Sequence, residues 1–119
     1  AEVDDILHVV AEARAAEIGP VMSKLQGQGV NPVTLTIMAT RHFRTLYRIA
    51  ANPGAPIYGV RDRDRAMRQA RNWGAVKLET ALAVLTETDL KLRSAGQHAP
   101  ALALVERAFI RLAMLGAQR

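Results

Sequence analysis

Cysteine is absent from the 119 residues. That excludes a disulfide scaffold, thiolate zinc sites, iron–sulfur clusters and thiol nucleophiles, and it fits a reducing compartment. Long apolar runs are missing too, since none approaches the roughly 18 residues of a membrane span. Residues 1–17 hold five acids (Glu2, Asp4, Asp5, Glu12, Glu17) against Arg14, the wrong sign for a secretory leader. The first residue is Ala1 rather than Met, which leaves a processed chain and a piece of a longer protein both open. No Gly-rich stretch ends in Gly-Lys-Ser/Thr, and no Gly-x-Gly-x-x-Gly occurs, so no nucleotide site is visible. Ser23, Ser94 and the threonines show no triad pattern. His8, His42 and His98 lie on three different segments without metal-ligand spacing. No catalytic residue, cofactor or metal is therefore expected, although a triad assembled in space leaves no trace in one sequence.

What is present describes one soluble domain. Half the residues are hydrophobic and 23% are charged, as in an ordinary globular protein. A chain of this length buries roughly two thirds of its unfolded surface. The net charge is +5 and unevenly spread. Residues 1–17 carry a net −4, whereas residues 41–77 carry nine Lys or Arg against Asp62 and Asp64, a net +7. A basic middle favours an acidic partner, nucleic acid or protein.

Alanine, leucine and arginine dominate, all helix formers, and β-branched residues never alternate over the length of a strand. The chain reads as all-α, a bundle of five or six helices. The first helix is expected over 5–16, capped by Asp4. A break near Gly19-Pro20 follows, or else Pro20 sits in the first turn of a second helix. Gly27 and Gly29 end that segment. Asn31-Pro32 is a capping side chain followed by proline at the first helical position. Its helix runs to Ala51, stopped by Asn52-Pro53-Gly54. Leu35, Ala39, His42, Phe43, Leu46 and Ala50 form its core stripe, with Arg41, Arg44 and Arg48 opposite. Residues 52–62 read as a loop with Ile57 and Tyr58 tucked inward. Helices are then expected over 63–72, 75–93 and 99–116.

Several residues invite a function. Asp89 shares an arc with Leu78, Leu82, Leu85 and Leu92. An acid in an apolar stripe must find a cation or donors, or shift its pKa. A structural ion pair to Arg71 or Arg44 is the expected answer, a catalytic carboxylate the alternative. His42, on a core stripe, reads as a hydrogen-bonded core histidine. Arg41, Arg44 and Arg48 form a solvated face, a phosphate track or a protein interface. Arg61, Arg63, Arg65, Arg68 and Arg71 crowd into one segment. Asp62 and Asp64 can pair locally there, and Arg63, Arg65 and Arg68 are the candidate DNA contacts. Trp73 reads as a core plug.

Order and spacing then carry a resemblance. Gly29-Val30-Asn31-Pro32, Arg41-His42-Phe43-Arg44-Thr45-Leu46, Gln69-Ala70-Arg71-Asn72-Trp73 and the run Leu85 to Arg93 resemble successive motifs in the C-terminal third of the delta subunit of the bacterial DNA polymerase III clamp loader. The family's lysine late in the Asp89 helix is Arg93 here, so the charge is kept and the chemistry changes. The resemblance implies a single helical collar domain over 1–119, the C-terminal part of a longer cytoplasmic subunit. Its partners would be the collar domains of the ATPase (gamma/tau) and delta-prime subunits. The sliding clamp and primed DNA would be met only through the full complex. Asp89 and Arg71, with Arg44, would be internal scaffold positions, and Arg41, Arg48 and Arg93 interface positions. The contrasting expectations are a stand-alone nucleic-acid-binding domain using 61–77, and an enzyme with Asp89 and His42 in one pocket.

Overall fold

Six helices account for the fold, in a computed structural model that describes residues 2–94, 96 and 100–118. They are α1 (Val3–Ala11), α2 (Ala15–Gly27), α3 (Pro32–Ala51), α4 (Arg63–Trp73), α5 (Ala75–Leu92) and α6 (Ala101–Ala117). There is no strand among the described residues, and no helix there is long and apolar enough to cross a membrane. The protein is an all-α bundle.

The strongest helix start is the one the sequence marks most plainly. Asn31 Oδ1 accepts from the backbone N–H of Val33 at 2.9 Å and of Thr34 at 3.2 Å, with Pro32 at the first helical position. Asp62 caps α4 in the same way, accepting from Arg65 N–H at 3.0 Å. Its carboxylate thus serves the helix start rather than the neighbouring arginines.

The first helix differs from expectation at both ends. It begins at Val3, with Asp5 accepting from Glu2 N–H, and ends at Ala11 rather than Ala16. The terminator is Ala13, at φ 58° in the left-handed region. Ala13 N–H bonds Val10 carbonyl and Arg14 N–H bonds Val9 carbonyl, both at 3.0 Å. This is the Schellman arrangement, usually built on glycine. Pro20, expected at a break or in a first turn, lies inside α2. Ile18, Met22 and Leu25 on that helix are each at most 1% exposed, and their burial outweighs one missing backbone hydrogen bond.

α3 is the hub, touching α1, α4, α5 and α6. Leu35, Ala39, Phe43 and Leu46 along it are buried against Leu78 and Leu85 of α5 and Phe109 and Leu112 of α6, within one core cluster. Trp73 joins that core at the end of α4, 4% exposed, its ring edge-on to Phe43 with centroids 5.1 Å apart. α6 passes it so closely that a Cβ at Gly116 would stand 2.7 Å from Cζ2 of Trp73. The loop before α4 differs from its expectation. Ile57 is half-buried, but Tyr58 is 83% exposed.

Two substitutions test these local constraints by urea unfolding. Gly116→Ala drives a methyl into a rigid indole and should destabilise by about 1–3 kcal/mol. Ala13→Gly removes left-handed strain and should stabilise by about 0.5–1 kcal/mol.

Candidate functional site

The buried face of α4 carries Ala66, Gln69, Ala70 and Trp73, at helical spacing. One of the four is polar, and Gln69 is only 2% exposed. A buried carboxamide needs partners for two N–H groups and one oxygen. Gln69 Nε2 donates to Glu12 Oε2 at 2.8 Å and lies 2.9 Å from His8 Nδ1. Its Oε1 lies 2.8 Å from His42 Nε2.

These distances fix the protons. An ionised carboxylate only accepts, so the amide nitrogen faces Glu12 and the oxygen faces His42. His42 then donates through Nε2, and His8 accepts at Nδ1, which requires a neutral His8 ring. The two rings stand edge to face, centroids 5.4 Å apart. Glu12 is also held by Arg65 in a two-point fork, Nε to Oε2 at 2.6 Å and a terminal nitrogen to Oε1 at 3.0 Å. Arg14 completes the group, 3.1 Å from Glu12 Oε1.

The titration behaviour follows from these partners. Arg65, aided by Gln69, holds the Glu12 carboxyl down at about 2 against the desolvation cost of partial burial. Burial is the main cause that pushes both histidines below their ordinary value, with nearby Arg65 adding to the effect on His8. The cluster joins α1, α3 and α4. Among the described residues no group of three His, Asp or Glu could hold a metal ion.

The sequence-predicted residues divide around this cluster. His42 is a hydrogen-bonded, half-buried histidine beside the core, and Trp73 is a core plug. Arg65, expected among the DNA contacts, is engaged by Glu12, while Arg63 and Arg68 are exposed. Asp89 does not pair with Arg71 or Arg44, both of which are exposed. It pairs with Arg93 one turn along its own helix, at 3.2 Å. The reason is angular. The buried face of α5 is Leu78, Ala81, Val84, Leu85 and Thr88, so its centre is turned away from the leucine stripe, and Asp89 falls at the edge. Thr88 takes the buried place, and its hydroxyl donates to Val84 carbonyl at 2.8 Å. Arg41 and Arg48 are exposed along α3. His98 lies outside the described residues.

Sequence reasoning missed His8, Glu12 and Gln69. The available signal was Gln69 itself, a polar residue in register with Ala66, Ala70 and Trp73.

A second feature lies on the other flank of α4. The loop 52–62 arches over the C-terminal half of α3 and leaves an open groove of about 1040 Å³. Ile49, Ala50, Ile57, Met67 and Ala70 supply its apolar lining, and Arg48, Arg63 and Arg71 its charge.

The hydrogen-bonded cluster makes two predictions, both read by urea unfolding. Gln69→Leu keeps the volume but removes the partner of both histidines and one of the three partners of Glu12, and should cost about 1–3 kcal/mol at pH 7.5. The pH profile should follow the histidines. Their folded pKa values lie below 6.5, so just below that pH the unfolded chain binds more protons. Stability is then flat above about pH 7 and falls as the pH drops through 6.5. A second fall belongs to Glu12, between its ordinary 4.5 and about 2. A stability unchanged between pH 7.5 and 5.5 would contradict the assigned protons.

Comparison with family models, with curated proteins and with solved structures finds no match to this chain.

Proposed function

We propose that the chain is an assembly module, a collar-type domain of a clamp-loader delta subunit that acts in loading the sliding clamp during DNA replication. The family part of this reading rests on the resemblance. Two of its motif segments also meet in space, through His42 with Gln69 and Phe43 with Trp73. They hold helices together, as expected of a scaffold.

The observation that carries the assembly part is apolar surface left to water. Leu90 on α5 is 63% exposed, and Met114 on α6 is 62% exposed, with Ile110 one turn before it. On α3, Val33 and Ile37 are exposed and run into Arg41, Arg44 and Arg48 at three- and four-residue spacing. Large apolar side chains grouped on helix faces mark interaction surfaces, and arginine is enriched at such surfaces. Two different faces meeting two different neighbours is the heterologous geometry an open ring of five subunits needs. In this reading the domain holds no active site, cofactor or metal. It works in the cytoplasm, and its partners are the collar domains of the ATPase (gamma/tau) and delta-prime subunits.

A second reading, a stand-alone nucleic-acid-binding domain using 61–77, is favoured by Arg63, Arg68 and Arg71, none of which stands in an ion pair among the described residues. It is weakened by the loss of Arg65 to Glu12.

Light scattering on the chain mixed with the two partner collar domains tests the proposal. A stoichiometric complex is expected, weakened at least about tenfold by Leu90→Asp or Met114→Asp. No complex at tens of micromolar from folded components overturns it. Binding to DNA that falls steeply with salt and is lost in an Arg63→Glu, Arg68→Glu double variant would favour the second reading instead.

A further inference from the structure

The groove under the loop has features that, Arg48 apart, the assembly reading does not use. It is large, about 1040 Å³, and open to solvent. Its apolar lining is mainly aliphatic, with Ile49, Ala50, Ile57, Met67 and Ala70, and includes Tyr47 and Tyr58. Its charged residues are Arg48, Arg63 and Arg71 against the single acid Asp64. None of the three arginines has an ion-pair partner among the described residues. Arg48 makes one hydrogen bond, to the Thr45 hydroxyl at 3.3 Å. Their neighbours in sequence behave differently. Arg61 pairs with Asp4, and Arg65 with Glu12. Three of the arginines without an ion pair among the described residues thus converge on this groove.

We propose that the groove is a docking site for an acidic peptide segment carrying aliphatic anchors. Leucine-sized side chains would fill the floor formed by Ile49, Ile57 and Met67. Carboxylates would meet the guanidinium groups of Arg48, Arg63 and Arg71, which bind carboxylate in a planar two-point fork. Tyr58, 83% exposed beside the opening, adds an amphipathic ring of the kind enriched at peptide interfaces.

The lining favours a peptide over nucleic acid. Bases stack on flat partners, and the groove offers two tyrosines against a mainly aliphatic lining. Of the two tyrosines at the groove, Tyr47 has its hydroxyl on Glu79 at 3.1 Å. The proposal does not rest on the assembly reading: none of Leu90, Ile110 and Met114 lines the groove, and only Arg48 is common to both surfaces.

The test is fluorescence anisotropy with a labelled probe, Glu-Asp-Leu-Glu-Asp-Leu-Glu-Asp, added to the whole chain at low salt. Controls replace both leucines by alanine, replace all acids by lysine, or use oligo(dT). Saturable binding of the acidic leucine probe is expected, at least about tenfold tighter than either peptide control and weakened by added salt. Arg63→Glu with Arg71→Glu should abolish it, as should Met67→Asp, which places a carboxylate on the floor. Arg107→Glu, on α6 and outside the groove lining, should leave it unchanged. Circular dichroism confirms that each variant remains helical, and the exposed arginine pair carries the conclusion if Met67→Asp unfolds. Absent binding, binding that survives the arginine double variant, or oligo(dT) binding with no peptide binding each overturns the proposal.

Discussion

The carboxamide of Gln69 is the constraint on which the arrangement of the helices most depends. α4 is a poor helix by itself. It has 11 residues, too few to be stable alone in water. Its buried apolar residues are two alanines and a tryptophan, so simple burial holds it weakly. Gln69 compensates by joining α1 and α3 at once, through His8 and Glu12 on one side and His42 on the other. Polar links of this kind are directional where apolar burial is not. They set the angle of α4 as well as its presence, and that angle determines how far its other flank stands from the loop.

The same geometry changes the meaning of the charge pattern. Along the chain, an acidic start and a basic middle suggest a partner of opposite charge. In the fold, part of that imbalance is answered internally, by Asp4 with Arg61 and Glu12 with Arg65. The Glu12 pair is partly shielded and geometrically forked, whereas the Asp4 pair is exposed and 3.7 Å long, so only the first has much weight in stability. The arginines of α4 are sorted by helix face. Arg65, on the Gln69 flank, pairs with Glu12, Arg63 and Arg71 line the groove, and Arg68 is exposed.

Much of the fold was legible because its signals are local. Asn31-Pro32 and Asn52-Pro53-Gly54 bracket α3 by backbone chemistry that needs no tertiary context. The end of α1 was not legible, because its left-handed residue is an alanine, whereas Gly19-Pro20 offers a louder and misleading signal. Asp89 was misread for a related reason. Leucines suggested one arc of α5, but Ala81, Val84 and Thr88 pull the buried face round, and small residues contribute little to a periodicity judged by eye. The Gln69 cluster was beyond reach in another sense. The partners of Gln69 lie 27 to 61 residues from it in sequence, and nothing local tells a glutamine among alanines which histidine it will meet.

Termination of α1 and placement of α4 are one event. A helix leaves its last four carbonyls without partners. In α1 these belong to His8, Val9, Val10 and Ala11. The turn through Ala13 satisfies three of them, with Glu12, Arg14 and Ala13 as the respective donors. Ala11 carbonyl is left, and it accepts from the indole N–H of Trp73 at 2.8 Å. Trp73 is buried, so its N–H also needs a partner. Each group would be costly without the other, at roughly 1–3 kcal/mol for a buried unmade bond. The left-handed alanine therefore does more than end a helix. It stops α1 at the residue whose carbonyl Trp73 requires, and Trp73 in turn brings Gln69, one turn earlier on α4, opposite His8 and Glu12.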